Sequence, residues 1–158
     1  MSIATITETR QYLTFRLSDE VFALDVAKVR EVLDLTPVTK IPRTPEFMRG
    51  VINLRGSVVP VVDLRCGFNM PPAENTVNSC IIVVEVVLNN EVVVIGALAD
   101  QVEEVIDLEP EQIQPPPRIG SFVKTEFLHG MGKRDSRFLM ILNIDQVFTA
   151  EELGAVKR

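Results

Sequence analysis

Displaced by 73 positions, the chain lies over itself. VREVLDLTPVTKIP, residues 29–42, falls on VEEVIDLEPEQIQP, residues 102–115, with seven of the fourteen positions identical. At an offset of 80, FMRGVINLRGSVVPVVDL (47–64) falls on FLHGMGKRDSRFLMILNI (127–144), keeping a phenylalanine, a glycine and a closing apolar strand. The extra residues of the second copy lie around PPPRIGSF. Upstream, VFALDVAK (21–28) lies over VIGALADQ (94–101), where apolar character is kept better than identity. A unit present only twice cannot build a solenoid, which needs three or more repeats to be stable, so the duplication predicts two similar lobes.

Each unit is rich in short β-branched runs. QYLTFRL alternates polar with apolar, EVFALDV follows the turn SDE, and CIIVVEVVL turns at NNE into VVVIGAL. Residues 51–54 and 58–62 form two more such runs, joined at a tight bend where Gly56 supplies positive φ. Arg55 cannot follow its neighbours into a core without a partner, so the bend displays a charge. Helices are brief. RTPEFMRG offers Thr44 as N-cap, Pro45 at the first helical position, Glu46 at the positive end and Gly50 as the stop. Thr149 and Glu152 make a capping box near the C-terminus. Residues 25–30 fit a helical turn and a strand start equally. Many short strands with few helices predict an all-β fold of small closed barrels, because closure removes the edges of short antiparallel sheets. Pro60 then belongs at an edge or a bulge.

Composition excludes several classes of function. With 158 residues, 46% of them hydrophobic, the chain can bury an ordinary core without disulfide or metal staples. Aromatic residues at 6% and no Trp argue against a stacking platform for single-stranded nucleic acid, and a net charge of -6 argues against duplex DNA. Cys66 and Cys80 lack CxxC spacing, and MSIATITETRQYL lacks the order of a signal peptide, so a reducing cytoplasm is expected. The apolar stretch 81–95 is interrupted by Glu85, Asn89, Asn90 and Glu91, which predicts a hairpin and not a membrane span. Residues 1–70 carry nine basic and eight acidic side chains, and residues 71–158 carry seven and fourteen. Chance surface composition and a partner-facing acidic surface explain this asymmetry equally well.

Little of the chain suggests chemistry. His129 has no second histidine or cysteine with which to share a metal, and it takes the place of Arg49 in the first copy, so it is expected at a surface or turn. No GxSxG, HExxH, Walker or GxGxxG pattern occurs, and HGMGKRD lacks the spacing of a phosphate loop. Asp63 and Asp100 each follow an apolar strand, where Asp accepts backbone hydrogen bonds at a turn. Glu103, Glu104, Asp107, Glu109 and Glu111 form a solvated acidic face. No metal or cofactor is called for. What stands out is Arg55 beside apolar patches, a mix suited to gripping a partner's helix or sheet edge. The competing explanation is an internal ion pair with an acid of its own chain, such as Asp63 or Glu46, and spacing does not choose between the two readings.

At this point the residues meet a known family. FMRGVINLRGSVVPVVDLR (47–65) resembles the signature of the CheW family, the coupling proteins of bacterial chemotaxis. YLTFRLSDEVFALDVAKVREVLD resembles that family's opening, and GALADQVEEVIDLEPEQIQPPP and FLHGMGKRDSRFLMILNIDQVF resemble its second half. The resemblance implies a single domain over 11–153 of two five-stranded SH3-like barrels sharing an apolar interface, between short flexible tails at 1–10 and 154–158. The lobes are expected at about 14–75 and 76–148, with sharing of the first strand left open. It implies no catalysis and no cofactor. The implied partners are the cytoplasmic tip of a methyl-accepting chemotaxis receptor and the regulatory domain of the histidine kinase CheA, in arrays beneath the inner membrane, with rings formed with CheA or with further copies. By motif position, the receptor-binding residues are Arg55, Gly50, Val29, Glu31, Ile81, Ile82 and Val102, lining a groove between the lobes; kinase-facing residues are not placed. The alternatives are a coupling protein for a pathway controlling type IV pili or development and, from another class, a small-molecule enzyme with a barrel-bound site.

Overall fold

In the computed structural model, residues 9–68, 70, 75–115 and 127–147 are described. The first copy runs β1 (Arg10–Leu17), β2 (Glu20–Asp25), a 3-10 turn (Val26–Lys28), β3 (Val29–Asp34), β4 (Met48–Leu54), β5 (Ser57–Asp63) and a one-turn helix α1 (Leu64–Gly67). The second repeats this order with β6 (Cys80–Leu88), β7 (Glu91–Ala99), β8 (Gln101–Leu108), β9 (Ile113–Gln114), β10 (Leu128–Arg134), β11 (Arg137–Leu142) and α2 (Ile144–Val147). The fold is all-β, as two curled sheets of the SH3-like barrel type.

The copies are not the lobes. One sheet has the order β3-β6-β7-β5-β4 and the other β8-β1-β2-β11-β10-β9. Each copy therefore lends its first hairpin to the other copy's sheet, and the division at about 75 does not separate the lobes. The charge asymmetry survives this exchange: among the described residues, 29–99, which build the first sheet, carry six basic and six acidic side chains, and the remainder, which build the second, carry six and eleven. The first sheet has the expected five strands; the second gains β9, whose counterpart is a lone bridge between Thr39 and Val51. Duplication extends to irregularities. Pairing slips by one residue at Arg30 in β3 and at Glu103 in β8, 73 positions apart, and at Arg49 in β4 and His129 in β10, 80 apart. All four extra residues are polar or charged, which suits a bulge that turns its side chain outward.

Three apolar clusters hold the molecule together. Ile52, Val59, Val61, Ile81, Val83 and Leu98 fill the curl of the first sheet. Tyr12, Val21, Ala23, Ile106, Leu108, Leu139 and Ile141 fill that of the second. The largest cluster lies between the sheets and takes most of the phenylalanines: Phe15 stacks on Phe22 at 5.8 Å, Phe22 on Phe68 at 5.3 Å, and Phe68 meets Phe127 at 6.0 Å. Strand β6 sends Ile81 and Val83 one way and Cys80, Ile82, Val84 and Val86 the other, so both of its faces are dry. An unbroken apolar run is what such a strand requires.

Several local expectations change. Residues 44–50 form turns and then β4 instead of a short helix: Thr44 Oγ1 donates to the Ile41 carbonyl, Met48 N–H reaches Pro45, and Gly50 lies inside the strand. The β4 residues must reach across to β5, and this pairing outweighs the weak local helix signal. Residues 26–28 are a helical turn and 29 starts a strand, so both readings of 25–30 hold. Pro60 sits within β5 but beyond its ladder with β7, which starts at Val61, so its missing N–H leaves no gap in that pairing. The capping box at Thr149 and Glu152 and most of the expected tails lie outside the described residues, although Arg10 already begins β1.

Candidate partner-docking grooves

Arg55 stands at the tip of the β4–β5 hairpin. Its own φ is 50° and that of Gly56 is 90°, the paired positive values of a type I′ turn, and the Gly56 N–H donates to Asn53 Oδ1 at 2.8 Å. The turn is rigid, and the arginine side chain is 70% exposed. Both of its terminal nitrogens donate to the carboxylate of Glu31 on β3, Nη1 to Oε1 at 3.2 Å and Nη2 to Oε2. This hydrogen bonding holds the Glu31 carboxyl below the usual carboxylate range. The internal ion pair that competed with a docking role is therefore formed, with Glu31 in place of Asp63 or Glu46. A forked pair on the surface still offers its outer edges to a partner.

The pair sits at the mouth of an open groove of about 690 Å³, walled by Leu54, Val58, Val59 and residues 92–94 of β7. Val58 and Val92 are 73% and 62% exposed. Sequence reasoning missed both valines, although their place beside the hairpin tips was a signal: apolar side chains next to a charged turn seldom serve the core of their own chain.

The seven residues expected to grip a receptor separate into three groups. Arg55 and Glu31 meet in this groove, whose walls come from one sheet and not from between the lobes. Val29 and Val102, equivalent under the repeat, are half-buried against the inter-sheet core. The bulge at Arg30 is the reason Val29 and Glu31 part company: Val29 pairs with Val84, which faces the inter-sheet core, and Glu31 with Val83, which faces the barrel interior. Ile81 and Ile82 are wholly buried and cannot touch a partner unless the sheet opens. The run of apolar residues in CIIVV already signalled burial on both faces. Gly50 is buried too; its φ is 145°, and a Cβ there would run into the carbonyl of Thr39, so it lets two backbones approach and offers no surface.

A smaller groove lies at the equivalent place on the other sheet, with Glu103, Glu104, Asp135, Arg137 and Leu139 among its walls. Asp135 stands where Arg55 does in the first copy. Phe138, the counterpart of Val58, is 52% exposed, and Val105, the counterpart of Val32, is 53% exposed. The repeat has kept two apolar edges and inverted the charge at the turn.

Groups that might carry chemistry are committed elsewhere. Asp63 is buried and accepts from the Arg65 N–H at 3.0 Å, and Asp100 accepts from the Ser18 N–H at 2.6 Å, the turn roles expected of them. His129 is half-buried at its bulge, and burial pushes its pKa below the ordinary 6.5. Burial raises the thiol pKa of both Cys66 and Cys80, which keeps them protonated and poor nucleophiles. Among the described residues no cluster of His, Cys, Asp or Glu could hold a metal ion, and no helix is long and apolar enough to cross a membrane.

The CheW-like domain model matches residues 11–152. The chain belongs to the CheW-like domain family. It is similar to the chemotaxis protein CheW of Klebsiella aerogenes, at 36% identity over 98% of this chain and 90% of that one. It is equally similar to the probable chemotaxis protein CheW of Rhizobium etli, at 36% identity over 92% of each. The crystal structure of the scaffolding protein TtCheW from Thermoanaerobacter tengcongensis superposes with a TM-score of 0.79 at 34% identity, covering 90% of both chains. CheW-like proteins of this kind are coupling and scaffolding proteins of chemotaxis, not enzymes.

Proposed function

We propose that the protein couples methyl-accepting chemoreceptors to the histidine kinase CheA in arrays beneath the inner membrane. The observation that carries this reading is the Arg55–Glu31 pair, held outward by a rigid turn beside exposed valines. A receptor tip is a helical hairpin, and its apolar ridge fits the valines while Arg55 fixes register through a carboxylate or carbonyl. Val29 and Val102 add contact where the lobes meet, and Gly50 supports the hairpin from behind. The other sheet, whose exposed Phe138 and Val105 lie beside the second groove's Arg137, Leu139, Glu104 and Ile106 in sequence, takes the regulatory domain of CheA. Contacts between unlike faces are heterologous and close into rings with the kinase or with further copies.

The test is binding of a receptor-tip hairpin peptide and of the CheA regulatory domain, separately and together. Wild-type protein should hold both at once. Arg55→Ala should weaken the receptor peptide about ten-fold or more, as expected for a charge-assisted hydrogen bond, and leave kinase binding intact. Phe138→Asp should do the reverse. A wild-type chain that holds neither partner would overturn the reading.

A further inference from the structure

At each place where the chain crosses from one sheet to the other, an ion pair ties three elements together, and the two pairs are charge-inverted copies. After β2, Lys28 Nζ reaches both oxygens of Asp145 on α2, at 2.9 and 2.8 Å, while the same carboxylate accepts from the Val87 N–H of β6 at 2.8 Å. After β7, Asp100 pairs with Arg65 on α1 and accepts from the Ser18 N–H in the β1–β2 turn; its own N–H donates to the Arg16 carbonyl of β1 at 2.9 Å. Arg65 and Asp145 are equivalent at the offset of 80, and Lys28 falls beside the position of Asp100 at the offset of 73. In both clasps a short helix, a crossover and a hairpin borrowed from the other copy are joined at one carboxylate. In one, the carboxylate is on the helix and the cation on the crossover. In the other, the two are exchanged.

Lys28 is followed at once by Val29, and Asp100 comes two residues before Val102. These repeat-related valines enter the edge strands β3 and β8 straight from the clasped crossovers and lie half-buried where the sheets meet. We infer that Lys28–Asp145 and Asp100–Arg65 are positioning pairs that set the placement of Val29 and Val102 for the partner docked there. No other polar tie among those described joins a crossover to both a terminal helix and the exchanged hairpin. The pairs act through the valines and do not touch the partner. This inference rests on the receptor-coupling reading for its binding arm alone.

The experiment uses the full chain with valine methyl groups labelled for NMR, together with titration of the receptor-tip hairpin. Asp145→Asn keeps an acceptor for the Val87 N–H and removes only the charge. It should move the Val29 methyl resonances, leave those of Val102 in place, and weaken the hairpin about five-fold while the melting temperature stays within a few degrees. Arg65→Gln combined with Asp100→Asn removes both charges of the pair, leaves the buried Asp63 with Arg49 at 3.7 Å, and should move Val102 instead of Val29. Exchanging charge in the double variant Lys28→Asp with Asp145→Lys should bring Val29 back toward its wild-type shifts and recover part of the affinity. Unchanged methyl shifts in Asp145→Asn, or a charge-exchanged double whose effects merely add, would overturn the inference. If the wild-type protein fails to bind the hairpin, the coupling reading falls, and the methyl shifts still decide whether the clasps position the valines.

Discussion

Charged side chains in this molecule divide by burial into those that hold the fold and those that face outward. Arg65 is 4% exposed, and Asp100 is its closest carboxylate. Asp100→Asn leaves the buried guanidinium with Asp63, at 4.0 Å, as its remaining carboxylate and should cost up to about 3 kcal/mol, read from denaturant unfolding. Arg55 is exposed, and water and salt screen such a pair, so Arg55→Ala should leave the unfolding midpoint almost unmoved. His129 sets a pH dependence. Burial lowers its pKa first of all, with Asp145 and Asp25 pulling it up and Lys28 and Arg10 pushing it down. The unfolded chain takes up a proton at about 6.5, which the folded chain resists to lower pH. Stability is therefore fully present above that value and declines as pH falls below it. Thermal melts between pH 8 and 5.5 should show this decline, and His129→Gln should flatten it; a slope that survives the substitution assigns the effect to another group.

Among the elements, β6 and the β4–β5 hairpin show how packing and turn chemistry share the work. Ile82→Ala opens a cavity in the inter-sheet core and should cost about 3 kcal/mol, whereas Val58→Ser on the exposed edge should cost almost nothing; chemical denaturation of both compares them directly. Gly50→Ala meets the Thr39 backbone at a φ that side chains avoid, and should cost about 3 kcal/mol in the same assay. The hairpins were legible from their sequences, because NNE and LRG between β-branched runs demand turns with positive φ. Burial of Ile81 and Ile82 was legible in principle from the continuity of CIIVV. The turns at 44–50 were not, because a threonine, a proline and a glycine at helix spacing also serve a turn leading into a strand. Only pairing with β5 decides which.

The whole molecule is two interlocked sheets, neither of which is made by one half of the chain. Residues 1–75 hold β1 to β5 and residues 76–158 hold β6 to β11, so each fragment lacks the hairpin that completes its own sheet. Expressed apart, neither fragment should give a cooperative unfolding transition; mixed at equal concentration they should assemble and regain one, as followed by circular dichroism. A fragment that melts cooperatively alone would contradict the exchange. By itself, the sequence determined the all-β class, the duplication, and the hairpins, one with Arg55 at its tip, all of which are properties of residues near one another in the chain. The tertiary structure alone decided which copy each hairpin completes, and with it which isoleucines vanish into the core and which valines reach the surface. The reason is physical: the two hairpins carry nearly the same pattern of apolar residues, so local preference cannot tell their docking sites apart. What separates them is the short crossovers, which carry the chain from β2 into β3 of one sheet and from β7 into β8 of the other.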